Sequence, residues 1–71
     1  MKELLRDAVK AYGEALRLRP DFARTRLDLA SVFVKLGEKS QAIQQLREAA
    51  KSSDAEVARL AAAALEKLGE R

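Results

Sequence analysis

The sequence predicts an all-α protein, a stack of four helices joined as antiparallel hairpins, and three observations carry that reading. The 71 residues are 48% hydrophobic and 35% charged but only 4% aromatic, and Ala, Leu, Glu, Lys, Arg and Gln make up most of them. Such side chains lose little rotamer freedom in a helix, and the few β-branched residues show none of the alternation of a strand. Apolar residues recur three and four apart in segments that proline, glycine or serine separates. The chain also repeats itself: Ala8 recurs as Ala42, Val9 as Ile43, Tyr12 as Leu46, Ala15 as Ala49 and Leu16 as Ala50, at an offset of 34 residues (42 minus 8).

The first helix is expected over residues 2–18, where Leu5, Ala8, Val9, Tyr12, Ala15 and Leu16 form a stripe that Leu4 and Ala11 widen. Pro20 ends it, because proline disfavours helical geometry at the residue before it. Gly13 inside this segment costs about 1 kcal/mol relative to alanine, and is read as a small residue that admits a neighbouring helix. Asp21 is the expected N-cap of the second helix, residues 22–36, whose core set is Ala23, Leu27, Ala30, Phe33 and Val34. Gly37 supplies the left-handed residue that follows many helix ends. The third helix, residues 39–51, carries Ala42, Ile43, Leu46, Ala49 and Ala50. Ser53 and Glu56 have capping-box spacing and open the fourth, residues 54–68, which carries Val57, Leu60, Ala61, Ala64, Leu65 and Leu68 before Gly69. Connections of a few residues make successive helices antiparallel, within a single domain over 1–71.

Several function classes are disfavoured at once. With no cysteine and no histidine, the chain lacks disulfides, thiolate ligands and the commonest metal ligand and general base. Ser31, Ser40, Ser52 and Ser53 therefore have no histidine to activate them. The carboxylates are scattered along polar faces, and neither a phosphate loop nor a calcium loop is spelled out. The expectation is a protein that is no enzyme and takes no metal or cofactor. The alanine-rich run at residues 61–65 is far short of the roughly 20 apolar residues that span a bilayer. Lys2, Glu3, Arg6 and Asp7 interrupt the place where a signal peptide is apolar, so a soluble, cytoplasmic chain with no membrane partner is expected. The net charge is a mild +3, and Arg17, Arg19, Arg24 and Arg26 gather around Pro20. No aromatic stacking platform accompanies them, so weak nucleic-acid binding ranks below a solvated helix end that complements the helix dipole.

A small residue, a large one four later, a small one three further on and then a proline are met by Ala8, Tyr12, Ala15 and Pro20. Leu29, Ala30, Phe33 and Gly37 follow, and then Ala42, Leu46 and Ala49. In this pattern the chain resembles the tetratricopeptide repeat family, whose 34-residue unit folds as two antiparallel helices, A and B. The frame is B-A-B-A: one whole repeat between two unmatched helices. Arg26 stands where the family prefers a large aromatic, and Asp54 where the closing proline would be. The fourth helix fits better at an offset of 32 (62 minus 30), with Ala62 for Ala30, Leu65 for Phe33, Leu68 for Leu36 and Gly69 for Gly37. Its sequence also resembles HEAT-like helices.

The resemblance implies a protein or peptide partner held on the concave face of the A helices, which here offers Arg24, Leu27, Asp28, Ser31, Val34 and Lys35. Leu27, Asp28 and Ser31 occupy positions where chaperone-tail binders carry a polar carboxylate clamp, so that ligand class is disfavoured. The first helix lacks a preceding A helix. Its face bearing Leu5, Val9, Tyr12 and Leu16 is therefore expected to be open to a second copy, giving a homo-oligomer with a dimer as the first form. The expected function is a non-enzymatic protein-interaction module that self-associates through that face. The alternative is an engineered or truncated repeat scaffold whose property is self-assembly.

Overall fold

A computed structural model describes residues 2–69 and contains α1 (Lys2–Leu18), α2 (Ala23–Lys35), α3 (Lys39–Ala49) and α4 (Ala55–Lys67). Helix α1 packs on α2 alone, whereas α2 meets all three others and α4 rests mainly on α3. The helices thus form an open stack of about 32 × 28 × 15 Å rather than a closed bundle, since the backbone of α1 comes close to that of α2 alone and Arg6 reaches only the start of α3, pairing with its N-cap Glu38 at 2.6 Å. Such nearest-neighbour packing is the hallmark of a repeat architecture.

The core lies where α2 and α3 meet. Leu29, Ala30 and Phe33 of α2 pack with Ala42, Leu46 and Ala49 of α3, joined by Leu16 from α1 and by Val57 and Ala61 from α4. Ala42 and Ala49 are completely buried, and Ala30 retains 2% of its exposure. Alanine at these points lets two backbones approach closely, and the larger side chains fill the space on either side. Arg26, in place of a large aromatic, is half-buried and bridges the same contact by hydrogen bonds. Its Nη1 donates to Gln45 Oε1 of α3 at 3.0 Å and its Nη2 to the Pro20 carbonyl at 3.1 Å.

Helix ends follow the local chemistry, with two shifts from expectation. Gly37 adopts φ 77°, its N–H bonding to the Val34 carbonyl and that of Glu38 to the Phe33 carbonyl. This pair of bonds is a Schellman motif, which reverses the chain into α3 within three residues. The N-cap of α2 is Phe22 rather than Asp21, and no side chain caps it. At α4 the cap is Asp54 rather than Ser53: its carboxylate accepts from the N–H groups of Glu56 and Val57, and Ser52 Oγ accepts from the Asp54 N–H. Asp outcompetes Ser because its charged oxygen satisfies two orphan donors at the positive end of the helix dipole. Gly13 admits no neighbour, since a Cβ built there meets nothing within 4 Å.

Helix α4 repeats α2 at the 32-residue offset (57 minus 25) in sequence and, on the side toward the preceding helix, in burial. Thr25 and Val57 are both buried, as are Leu29 and Ala61. The ends match too: Leu36 and Leu68 are C-caps with φ −81° and −85°, followed by Gly37 and Gly69 at 77° and 85°.

Two stability changes follow from these ends and gaps. Gly13→Ala should stabilise the chain by about 0.5–1 kcal/mol, because it removes backbone freedom from an exposed helix interior without a clash; thermal denaturation followed by circular dichroism reads this as a rise of a few degrees. Asp54→Ala should cost about 1 kcal/mol through the lost cap and lower the midpoint by about 4–8 °C, whereas Phe22→Asp, which creates a cap, should raise it. Equal midpoints for Asp54→Ala and the parent chain would show that the cap contributes nothing.

Candidate functional site

Helices α2 and α4 are both A-type helices and leave a groove of about 400 Å³ between them. Leu27, Ser31 and Val34 line it from α2, and Leu60, Ala64, Lys67 and Leu68 from α4, over a floor of Ala30 and Leu46. Val34 and Leu60 keep 46% and 41% of their surface exposed, so the groove presents large apolar side chains that the fold does not bury. Arg24 and Glu56 span one end at 3.5 Å. Lys35 and Lys67, in the last turns of the two helices, mark the other end as basic.

Of the six residues expected on the concave face, Leu27, Ser31 and Val34 line this groove, Arg24 closes an end, and Asp28 and Lys35 stand exposed outside it. The contribution of α4 was hidden in the sequence. Leu60 reads as a core residue there, yet it lies to one side of the stripe Val57, Ala61, Ala64 and Leu68 that packs on the core. Its signal was periodicity: at ~3.6 residues per turn Leu60 falls on the edge of that stripe, not within it.

The face of α1 needs correction. Leu16 is 9% exposed and belongs to the core, Val9 and Tyr12 pack against that core, and Leu5 is half-buried. All lie toward α2, which covers them, because α2 packs one side on α1 and another on α3. The open side of α1 is the adjacent stripe, Leu4, Ala8, Ala11, Ala15 and Leu18, in which Leu4 and Leu18 remain 64% and 67% exposed. The apolar arc of α1 covers about half its circumference, and α2 uses only one half of that arc.

The four arginines around Pro20 do not gather into one free patch. Arg17 pairs with Glu14, whose carboxylate holds the guanidinium above its ordinary pKa; Arg19 lies 5.4 Å over the Phe22 ring; Arg24 and Arg26 are engaged as above. Among the described residues, no group of three or more His, Cys, Asp or Glu side chains is placed to hold a metal ion. No helix among them is long and apolar enough to cross a membrane.

Known proteins bear on the stack as a whole. No curated protein and no solved structure gives a significant match to this chain. The family model described as tetratricopeptide repeat matches residues 3–68, nearly the whole length. The alanine-spaced α2–α3 hairpin and the half repeats around it are thus those of a recognised unit, and the chain belongs to the tetratricopeptide repeat family.

Proposed function

We propose that this chain is a non-enzymatic protein-interaction module that holds an amphipathic helical segment of a partner protein in the α2–α4 groove. Repeats of this family are typically interaction modules rather than catalysts. The observation that carries the finer reading is the pair Val34 and Leu60, whose half-exposed side chains face one groove with Leu27 and Leu68. An apolar helix face laid there buries them, and acidic residues at one end of the partner meet Lys35 and Lys67. Both lysines sit where the dipoles of α2 and α4 are negative, so they also complement their own helices.

A second surface supports self-association. Leu4, Ala11 and Leu18 are exposed along one line of α1, on the side away from its packing with α2. Covering that line with a second copy removes two leucine side chains from water, each worth about 1.5–3 kcal/mol when fully buried.

The groove is tested with a synthetic amphipathic peptide of about 14 residues, long enough to run the ~20 Å of α2, with leucines on one face and glutamates at one end. Amide shifts on titration should cluster at Leu27, Ser31, Val34, Leu60 and Leu68, and Val34→Glu should weaken binding at least about tenfold by placing a charge against the apolar face. Saturable binding whose shifts fall elsewhere, or that Val34→Glu leaves intact, would remove the groove as the site.

A further inference from the structure

We infer that the open face of α1 is covered by helix α4 of a second copy, so that copies join head to tail into a continuous B-A-B-A stack. This rests on the self-association reading of α1 and names the surface that meets it.

The chain itself contains one complete example of an A helix covering this face of a B helix. On α3 the face turned to α2 carries Ala42, Gln45 and Ala49, which the 34-residue offset (42 minus 8) matches to Ala8, Ala11 and Ala15; just outside α3, Glu38 and Ser52 match Leu4 and Leu18. Gln45 is bonded to Arg26 of α2, and Ala42 and Ala49 are fully buried. Their counterparts Ala8 and Ala15 are only half-buried. The covering helix missing from α1 is therefore one patterned like α2. The flanking residues sharpen this: Glu38, Gln45 and Ser52 are polar, whereas Leu4, Ala11 and Leu18 are apolar.

Within the chain, α4 is the A helix with a side to spare. At the 32-residue offset (62 minus 30), Ala62 corresponds to Ala30, the alanine of α2 buried at its contact with α3. Ala30 is 2% exposed, yet Ala62 is exposed. Leu65 corresponds to Phe33 and is likewise less buried. Most telling is the bridging pair: where Arg26 bonds Gln45, the corresponding residues are Ala58 on α4 and Ala11 on α1. Both halves of the polar pair are replaced by alanine, so joining the two faces leaves no buried polar group unsatisfied.

A two-fold pairing of α1 with its own copy fits less well. At ~3.6 residues per turn, Asp7 and Glu14 border the Leu4–Ala11–Leu18 line. An antiparallel two-fold pair lays the same edge of both helices side by side, which brings these carboxylates of the two copies together. The α4 face presents Arg59 along with Glu66, so both signs of charge border it.

The two joining faces differ, so the contact is heterologous and does not close on itself. Sedimentation velocity across a concentration series should show a ladder of species rather than a single dimer. Ala11→Glu and Ala62→Glu both alter exposed helix positions, fold as judged by circular dichroism, and should each raise the concentration needed for association at least about tenfold. Mixing the two variants should restore association but stop it at two chains, since each supplies the one intact face the other needs. Association lost in Ala11→Glu but kept in Ala62→Glu would overturn the assignment to α4 and leave self-association through α1 standing. A parent chain that stays monomeric up to about millimolar concentration would overturn both. So would a monomeric parent whose Leu4 and Leu18 resonances respond to the leucine-rich helical peptide, because the occupant would then be another protein.

Discussion

Helices α2 and α3 are held as close as they are by alanines, and the placement of every other element follows from that approach. With Ala30 against a face bearing Ala42 and Ala49, the two backbones come near enough for Arg26 to reach Gln45 across them. A larger residue at any of the three points would push the pair apart, and a well-packed interior has no slack to absorb the change. The tight Gly37 turn and the alanine contact agree on one hairpin geometry. From it, α2 offers its remaining sides to α1 and α4, and the groove exists because α2 and α4 are set side by side as successive A helices.

Much of this was legible in the residues, for reasons that differ from element to element. The same small residues recur 34 positions apart, Ala8 and Ala15 as Ala42 and Ala49, so the repeat could be read without coordinates of any kind. The glycines at 37 and 69 were equally legible, because a positive φ after a helix is a local demand. The caps were misread by one residue at each of two helices. Asp21, Phe22, Ser53 and Asp54 lie in adjacent pairs, and which of two neighbours caps a helix depends on how the incoming chain is anchored.

The exposed face of α1 was misplaced for a more instructive reason. Leu5, Val9, Tyr12 and Leu16 merge with Leu4, Ala8, Ala11, Ala15 and Leu18 into one broad apolar arc, and periodicity alone does not say which part a neighbour covers. The missing information was tertiary, namely that α2 approaches from the side of Leu16. A trace of it was nonetheless present: the positions matching Leu4, Ala11 and Leu18 in and beside α3 are polar, while those matching Val9 and Tyr12 are apolar. Comparing what differs between repeats, and not only what recurs, separates the residues that build the unit from those that join units. The α4 side of the groove escaped for a similar reason, because Leu60 sits at the margin of a stripe in a helix whose register is shifted by two.

The packing of α1 on α2, with the ion pair from Arg6 to Glu38 beyond it, has a consequence for cohesion. In a nearest-neighbour stack an end element can melt while the centre stays folded, so α1 is free to unzip from the α2–α3 hairpin as a unit. Its release lays bare Leu29 and the other α2 residues that Leu16 covers. Any molecule that clasps the outer line of α1 while α1 is docked is therefore linked to that docking, and binding there tightens the whole stack by mass action. This end helix is thus a place where a neighbour governs how firmly the rest holds together.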